Sequence, residues 1–530
     1  MSQVNIEKYE IISFDVFDTL IKRKYLFPKD LFEHLGKIAG DDSFAEKRIN
    51  AERKARRLSK AQDITIEEIY KQLPKKYQKY KETEKQLEIN NTFANEEIKV
   101  LYDKALKSNK KIIAVSDMYL DKKTILTLLN RAGYLHFDKI YISGEYGKTK
   151  WTGDLFDIVI KDLKIEPQKI LHIGDNYKSD YKIACKKGID AFYYQEKTFL
   201  KDKKFTKFSL SGKELEKSVL FSLCNRYYKE TDDYFKKFGF TYGGPLCLSF
   251  INWFYPILKE QKFSDVLFIS RDGWILKKVF DILYPNSEIK PHYIYASREI
   301  CKNVDFQEYK KYLEKQNIVG KKIATVDTIG YNYTAQRFLQ QFFKYKIMGL
   351  YFRRAKINKD IEAIEFETKF KIILWDFMEF IISAPEYPAK NIKNDKIIFE
   401  KNNIFEETRR NIYLKISQGI IDFIDGYKSI YEGNCLQIND AFIVRWVNNF
   451  FFYMTKEDMS NFASICHTMK HDKQDYFPLI PKPFYILFKI FSLVPFAYLW
   501  SEIFYFIMRV VNKIWRIQRK MIKEFLNNGE

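Results

Sequence analysis

The sequence predicts an α/β protein: an open parallel sheet carrying a helical insertion, then a second α/β domain, then a helical C-terminal region. Three observations predict it. Short apolar runs recur between stretches of helical periodicity; most of them stop at an acid, a hydroxyl or a basic residue; and a long helical pattern, residues 21–109, interrupts the series directly after the first run.

The first run, Ile11 to Phe14, leads into Asp15-Val16-Phe17-Asp18-Thr19-Leu20. An apolar run stopping at an acid reads as a buried parallel strand that brings a carboxylate to the carboxyl edge of a sheet, where open sheets hold ligands. Taken alone, Asp15 and Asp18 read equally as caps of a turn. Later runs answer the first. Lys111 to Val115 ends in Ser116-Asp117, and Phe137 to Ser143 is followed by Lys148, Lys150 and Phe156. Lys169 to Ile173 ends in Gly174-Asp175-Asn176 with Asp180 beyond, and a short run, Ala191 to Tyr194, closes the domain. In a parallel sheet the ends of four strands would bring carboxylate, hydroxyl, lysine and carboxylate together. Those are the groups that grip a cation and a phosphoryl group.

This quartet, over about residues 8–195, resembles the haloacid dehalogenase (HAD) superfamily, whose phosphatases share the four motifs in this order. The resemblance implies a HAD-like Rossmannoid sheet and an aspartyl-phosphate mechanism. By that likeness Asp15 is the nucleophile, Ser116 holds the phosphoryl oxygens, Lys150 screens nucleophile and phosphate, and Asp175 with Asp180 forms the acidic metal motif. Lys150 is preferred to Lys148 because it stands six residues before Phe156, as the family lysine stands before its phenylalanine. The implied metal is Mg2+, held by Asp15, Asp175 and Asp180 with the backbone carbonyl of Phe17. Phe17 departs from the phosphatase pattern, since the family's general acid/base stands two residues after the nucleophile. A phenyl ring moves no proton, and such assistance is worth roughly 100- to 10,000-fold. Three readings follow: a slow phosphatase, a phosphotransferase that uses a substrate group as base, or a domain that only binds phosphate. Asp18, one residue out of register, is expected to point to the other side of the strand end.

Within residues 21–109, Leu31, Phe32, Leu35 and Ile38 make one amphipathic face and Ile66, Ile69, Tyr70 and Leu73 another, with Thr65 as N-cap and Glu68 three residues on. The family often carries a substrate-closing cap here. His34 or Arg53, Arg56 and Arg57 could face a substrate, although a solvated helix face suits the arginines better; His172, inside its strand, reads as a core residue. A charged linker is expected over 196–239, centred on Lys197 to Lys217.

The second α/β domain, 240–390, repeats the pattern. Asp265 to Ser270 ends in Arg271-Asp272-Gly273 before a helix from Trp274 to Leu283, and His292 to Ala296 ends in Ser297-Arg298. Ile323 to Val326 opens a loop, Asp327 to Thr334, that contains Gly330, and Ile347 to Phe352 is the next strand. Arg271, Asp272, Arg298, Asp327, Gly330 and Thr334 suit a phosphate or phosphosugar site, with bracing of two loops by Arg271 and Asp327 as the alternative. The loop is faintly similar to the sugar-pyrophosphate loop of phosphoribosyltransferases. SFDVFDTL with the later RDG and DTIG more closely resembles bacterial proteins encoded with capsule and lipopolysaccharide enzymes, some joined to glycosyltransferases. That likeness implies a phosphorylated sugar or carrier substrate and other polysaccharide-assembly enzymes as partners.

Residues 391–475 are expected to be helical; Cys466, His467 and His471 lack a second ligand pair for a metal. In 476–530, Phe484 to Trp500 and Ile503 to Met508 are followed by Arg509, Lys513, Arg516, Arg519, Lys520 and Lys523. No apolar run there is long enough to span a bilayer, so the expectation is an interfacial helix on an anionic membrane, with an internal helical hairpin as the alternative. Lys and Arg number 90 against 69 Asp and Glu, and the resulting +21 favours anionic partners. No nucleic-acid module accompanies it, so no nucleic acid is expected. Six dispersed cysteines without a CxxC pair and an N-terminus without an apolar core suggest a cytoplasmic protein, peripheral at the inner face of the plasma membrane.

Overall fold

The computed structural model describes residues 4–196, 215–230, 233–318, 320–366, 372, 375–394, 396–400, 404–428, 440–463, 465–468 and 476–478. These residues form two compact units that divide between residues 222 and 223.

In the first unit, β1 (Ile11–Phe14) lies at the centre of a five-stranded sheet. The insertion holds β2 (Ile21–Arg23) and β3 (Thr92–Ala94), and beyond it come β4 (Lys111–Ser116), β5 (Lys139–Ile142), β6 (Ile170–Gly174) and β7 (Asp190–Tyr193). The sheet order is β5-β4-β1-β6-β7, parallel throughout. All four β1 residues are buried because the sheet is covered on both faces. Ile12 and Phe14 join the core that continues into the insertion, while Ile11 joins Ile113, Val115 and the helix Asp154–Leu163. The order runs outward one way from β1 to β5 and then restarts on the other side of β1 at β6. The ends of β1 and β6 therefore flank the topological switch point.

The insertion is mainly helical, as expected, but it leaves and re-enters through an antiparallel ribbon of β2 and β3. Three-residue strands carry too little alternation to be read from sequence. Thr65 and Glu68 form the expected capping box, and Ile66, Ile69, Tyr70 and Leu73 are buried. Ile38 is not: at 42% exposure it sits in the last turn of Asp30–Ala39, past the edge of the packed face. His34 is buried against the Tyr25 hydroxyl at 2.6 Å, and burial lowers its pKa to about 4. Of the arginines, Arg56 bridges Glu52 and Asp63 on the surface, and Arg53 and Arg57 are exposed. The arginine that matters to the insertion is Arg48. It is enclosed, bonded to Glu84 at 2.7 and 2.8 Å, and lies over Phe32 and Tyr119.

Of the expected linker, 197–214 lies outside the described residues, and the rest is ordered as helices Leu215–Glu230 and Tyr234–Phe238. Its charges mask an apolar stripe of Leu215, Val219, Leu220, Leu223 and Tyr227, all buried.

The second unit holds another five-stranded parallel sheet: β8 (Asp265–Ile269), β9 (Lys290–Ile294), β10 (Ile323–Gly330), β11 (Met348–Arg354) and β12 (Ala363–Glu365), in the order β12-β11-β10-β8-β9. Two expectations are corrected. Asp327 does not open a loop, because β10 continues through Ile329 and Gly330, which pair with Arg353 and Arg354. The region expected to be helical, 391–475, opens instead on a hairpin of Ala389–Lys393 with Lys396–Phe399. Helices Ile404–Lys428, Asp440–Phe452 and Lys456–Ala463 follow. Among the described residues no helix is long and apolar enough to cross a membrane. His471 and the basic aromatic stretch 484–523 lie outside the described residues.

Candidate active site

Register places the first unit's chemistry. Phe14 stands opposite Ala114 on β4 and Ile173 on β6, so Asp15, the Val115-Ser116 end and Gly174-Asp175 emerge on three adjacent strands. The Asp15 amide donates to the Ile173 carbonyl at 2.9 Å, which ties the first acid to the strand that delivers the others. One oxygen from each of Asp15, Asp175 and Asp180 comes within 4.8 Å of the others. Ser116 ends β4 and is buried.

Lys150 is 2% exposed, and its Nζ donates to Asp15 Oδ1 at 2.5 Å and Asp180 Oδ1 at 2.7 Å. Lys148 is on the surface with Asp154. The turn that carries Lys150 inward is held by Asp117, whose carboxylate accepts the amides of Lys150 and Trp151 at 2.8 and 3.3 Å. Asp117 belongs among the site residues, although its sequence signal was only its place after Ser116. Two further residues went unmarked. Thr19 donates to Asp175 at 3.3 Å, and the Asn176 amide donates to Asp180 Oδ2 at 3.0 Å.

His172 is enclosed, between Ser13 Oγ at 2.8 Å and Asp180 at 3.4 Å, and packs edge-on against Phe156. Gly174 allows this closeness, since a Cβ there would meet the Asp180 carboxylate at 2.4 Å.

The electrostatics follow from burial. Desolvation raises Asp15 to about 8 despite Lys150, with Asp180 and Asp175 adding to the rise. Desolvation also raises Asp175 to about 6, reinforced by Asp18 and Asp180. Burial works against the Lys150 charge, yet Asp15 and Asp180 hold it above its ordinary range. Burial likewise opposes ionisation of Asp180, but Lys150 and His172 keep it low. Two buried carboxylates, Asp15 and Asp180, and the half-buried Asp175 thus share one ammonium. A small divalent cation that prefers hard oxygen ligands fits this donor set, with Asp15 and Asp175 as the more available ligands because Asp180 already serves Lys150 and Asn176.

Phe17 is half-buried under the Arg23 guanidinium, 4.2 Å from its ring centre, and Arg23 is itself paired with Glu88 at 3.0 Å. Asp18 lies exposed in the turn after β1, in the left-handed region at φ 62°, and its charge bears on Asp175.

No family model matches the chain, and no curated protein is similar to it at a significant level. Solved structures do match, over about a third of the chain. A predicted phosphoglycolate phosphatase of Haemophilus somnus 129pt is 14% identical over 35% of this chain and 85% of that one, with a TM-score of 0.26. The HAD-type hydrolase YfnB of Bacillus subtilis, solved with magnesium bound, is 16% identical over 35% and 88%, TM-score 0.28. The L-2-haloacid dehalogenase of Xanthobacter autotrophicus is 13% identical over 39% and 87%, TM-score 0.30.

Proposed function

We propose that the first unit is a magnesium-dependent phosphohydrolase or phosphotransferase of the HAD type that works through an aspartyl phosphate on Asp15. The observation that carries this reading is the grouping of buried Asp15, Lys150 and Asp180 with half-buried Asp175 at the switch point of a parallel sheet.

Lys150 occupies Oδ1 of Asp15 and leaves Oδ2 to attack phosphorus. A P–O bond to Asp15 forms as the P–O bond to the leaving group breaks, and water or an acceptor hydroxyl later takes the phosphoryl group from the acyl phosphate. Lys150 would offset charge on the transferring oxygens, and Ser116, buried at the end of β4, would donate to one of them. Asp180 and Asp117 are positioning residues for Lys150, one through its ammonium and the other through the backbone amide. Asp15 and Asp175 would hold Mg2+, which supplies electrophilic stabilisation of the phosphoryl oxygens when bound.

Phe17 offers no proton to the leaving group, which favours substrates whose leaving oxygen is already a weak base and favours transfer to an activated acceptor over hydrolysis. The finer part of the proposal is a phosphorylated sugar or carrier of surface-polysaccharide assembly. Its support is the resemblance of SFDVFDTL, RDG and DTIG to proteins encoded with such enzymes.

The test is phosphate release from p-nitrophenyl phosphate and a panel of sugar phosphates, with Mg2+ and with EDTA. The expected result is activity with the metal, a fall of roughly 100-fold or more on chelation, and recovery on Mg2+ addition. Equal release with and without chelator would remove the metal-dependent reading.

A further inference from the structure

The second sheet, counted along its own chain, runs 2-1-3-4-5, so β8 and β10 flank a switch point of their own. Their carboxyl ends carry groups that the first unit's chemistry does not use. Arg271 and Asp272 follow β8, Asp327 and Thr328 lie in β10, and Arg298 opens the helix after β9. Thr328 joins the two acids, since its hydroxyl donates to Asp272 and its amide donates to Asp327 Oδ1 at 2.8 Å. Arg271 and Arg409 both bond to Glu406 at 2.8 Å, so two guanidinium groups share one carboxylate. Arg298 is exposed and bonded to no described residue, yet it lies close enough to act on both acids. The Ser270 hydroxyl, at the same strand end, is buried without a partner among the described residues. The helix Gly273–Leu283 starts here, packed so closely on β8 that a Cβ at Gly273 would meet the Phe268 backbone at 2.5 Å.

We propose that this edge of the second unit is a binding site for a phosphorylated sugar, with Arg298 and the amino end of Gly273–Leu283 taking the phosphate and Asp272 and Asp327 accepting sugar hydroxyls. Charge complementarity selects this class. Two adjacent carboxylates repel a bare anion, and Arg271, Arg298 and Arg409 around them repel a bare cation. A molecule with an anionic end and neutral hydroxyl donors satisfies both halves. Burial raises Asp272 to about 6 and Asp327 to about 7, the latter helped by Asp272, and sugar hydroxyls would add to the two bonds that Thr328 already donates to the pair.

Of the other residues expected from sequence, Gly330 ends β10 against the Tyr333 ring, and Thr334 starts a helix of 7 residues.

The test is hydrogen–deuterium exchange on the full chain in EDTA, which keeps the metal-dependent first site idle. The probe is millimolar ribose 5-phosphate, with ribose and inorganic phosphate as separate arms. The proposal expects slowed exchange over 264–274 and 323–334 with ribose 5-phosphate alone, and roughly tenfold or greater weakening in Arg298→Ala, whose exposed side chain can be removed without unfolding. Absence of slowing there, equal slowing by inorganic phosphate, or slowing that survives both Arg298→Ala and Asp327→Asn would each overturn it. Changes over 11–20 report the first site and do not count.

Discussion

Asp15→Asn lowers magnesium-supported phosphate release by about 1,000-fold or more while the protein stays folded. An amide nitrogen is no nucleophile toward phosphorus, so the covalent route closes. The fold tolerates the change because Lys150 keeps its bond to Asp180 at 2.7 Å and the Asp15 backbone bond to Ile173 is untouched. Removing one of three crowded acids also relieves repulsion, since Asp175 and Asp180 both push Asp15 upward. The melting temperature should therefore hold or rise while turnover disappears. Equal release from wild type and Asp15→Asn would take the reaction away from this carboxylate.

Arg48→Met unfolds more of the insertion than any surface change. Neither the Arg48 nor the Glu84 side chain has solvent contact, and the guanidinium supplies two bonds to Glu84 and one to Glu52 at 3.2 Å. Without it Glu84 keeps only the Tyr70 hydroxyl at 2.7 Å. Breaking a buried pair from one side costs about 3–5 kcal/mol, which for a unit of this size corresponds to a loss of roughly 6–20 °C in the first melting transition. The paired change Arg48→Met with Glu84→Leu should recover most of it, because no buried charge is then left alone. A single mutant that melts with the wild type would show that the pair contributes nothing net.

What the sequence disclosed and what it hid divide along physical lines. Strand ends were legible at Asp15, Ser116 and Asp175 because buried parallel strands are apolar runs, and a polar residue that stops one is conspicuous. Lys150 was separable from Lys148 only through the family's spacing to Phe156. Asp117 and Thr19 were harder, since their work is to hold a backbone turn and a neighbouring carboxylate, and no periodicity marks that. Arg48 was invisible among the many Lys and Arg of the insertion, for burial of a charge depends on a partner 36 positions away. Alternation could not be carried as far as Asp18, because β1 ends at Phe14 and Asp18 sits in a left-handed turn. In the second unit, Asp327 was read as a loop residue since Asp327 and Gly330, both poor strand formers, bracket Thr328 and Ile329. Pairing with β11, not local propensity, makes it part of a strand.

The measurement that bears most directly on the central claim is the location of phosphate on the chain. The protein is incubated with Mg2+ and acetyl phosphate, quenched in acid and digested, and the label is mapped by mass spectrometry. With Phe17 where an acid/base would stand, breakdown of the intermediate is slow and it should accumulate. The account predicts a hydroxylamine-labile phosphate on Asp15, absent from Asp15→Asn and from EDTA-treated protein. A label elsewhere, or one that persists in Asp15→Asn, would contradict it.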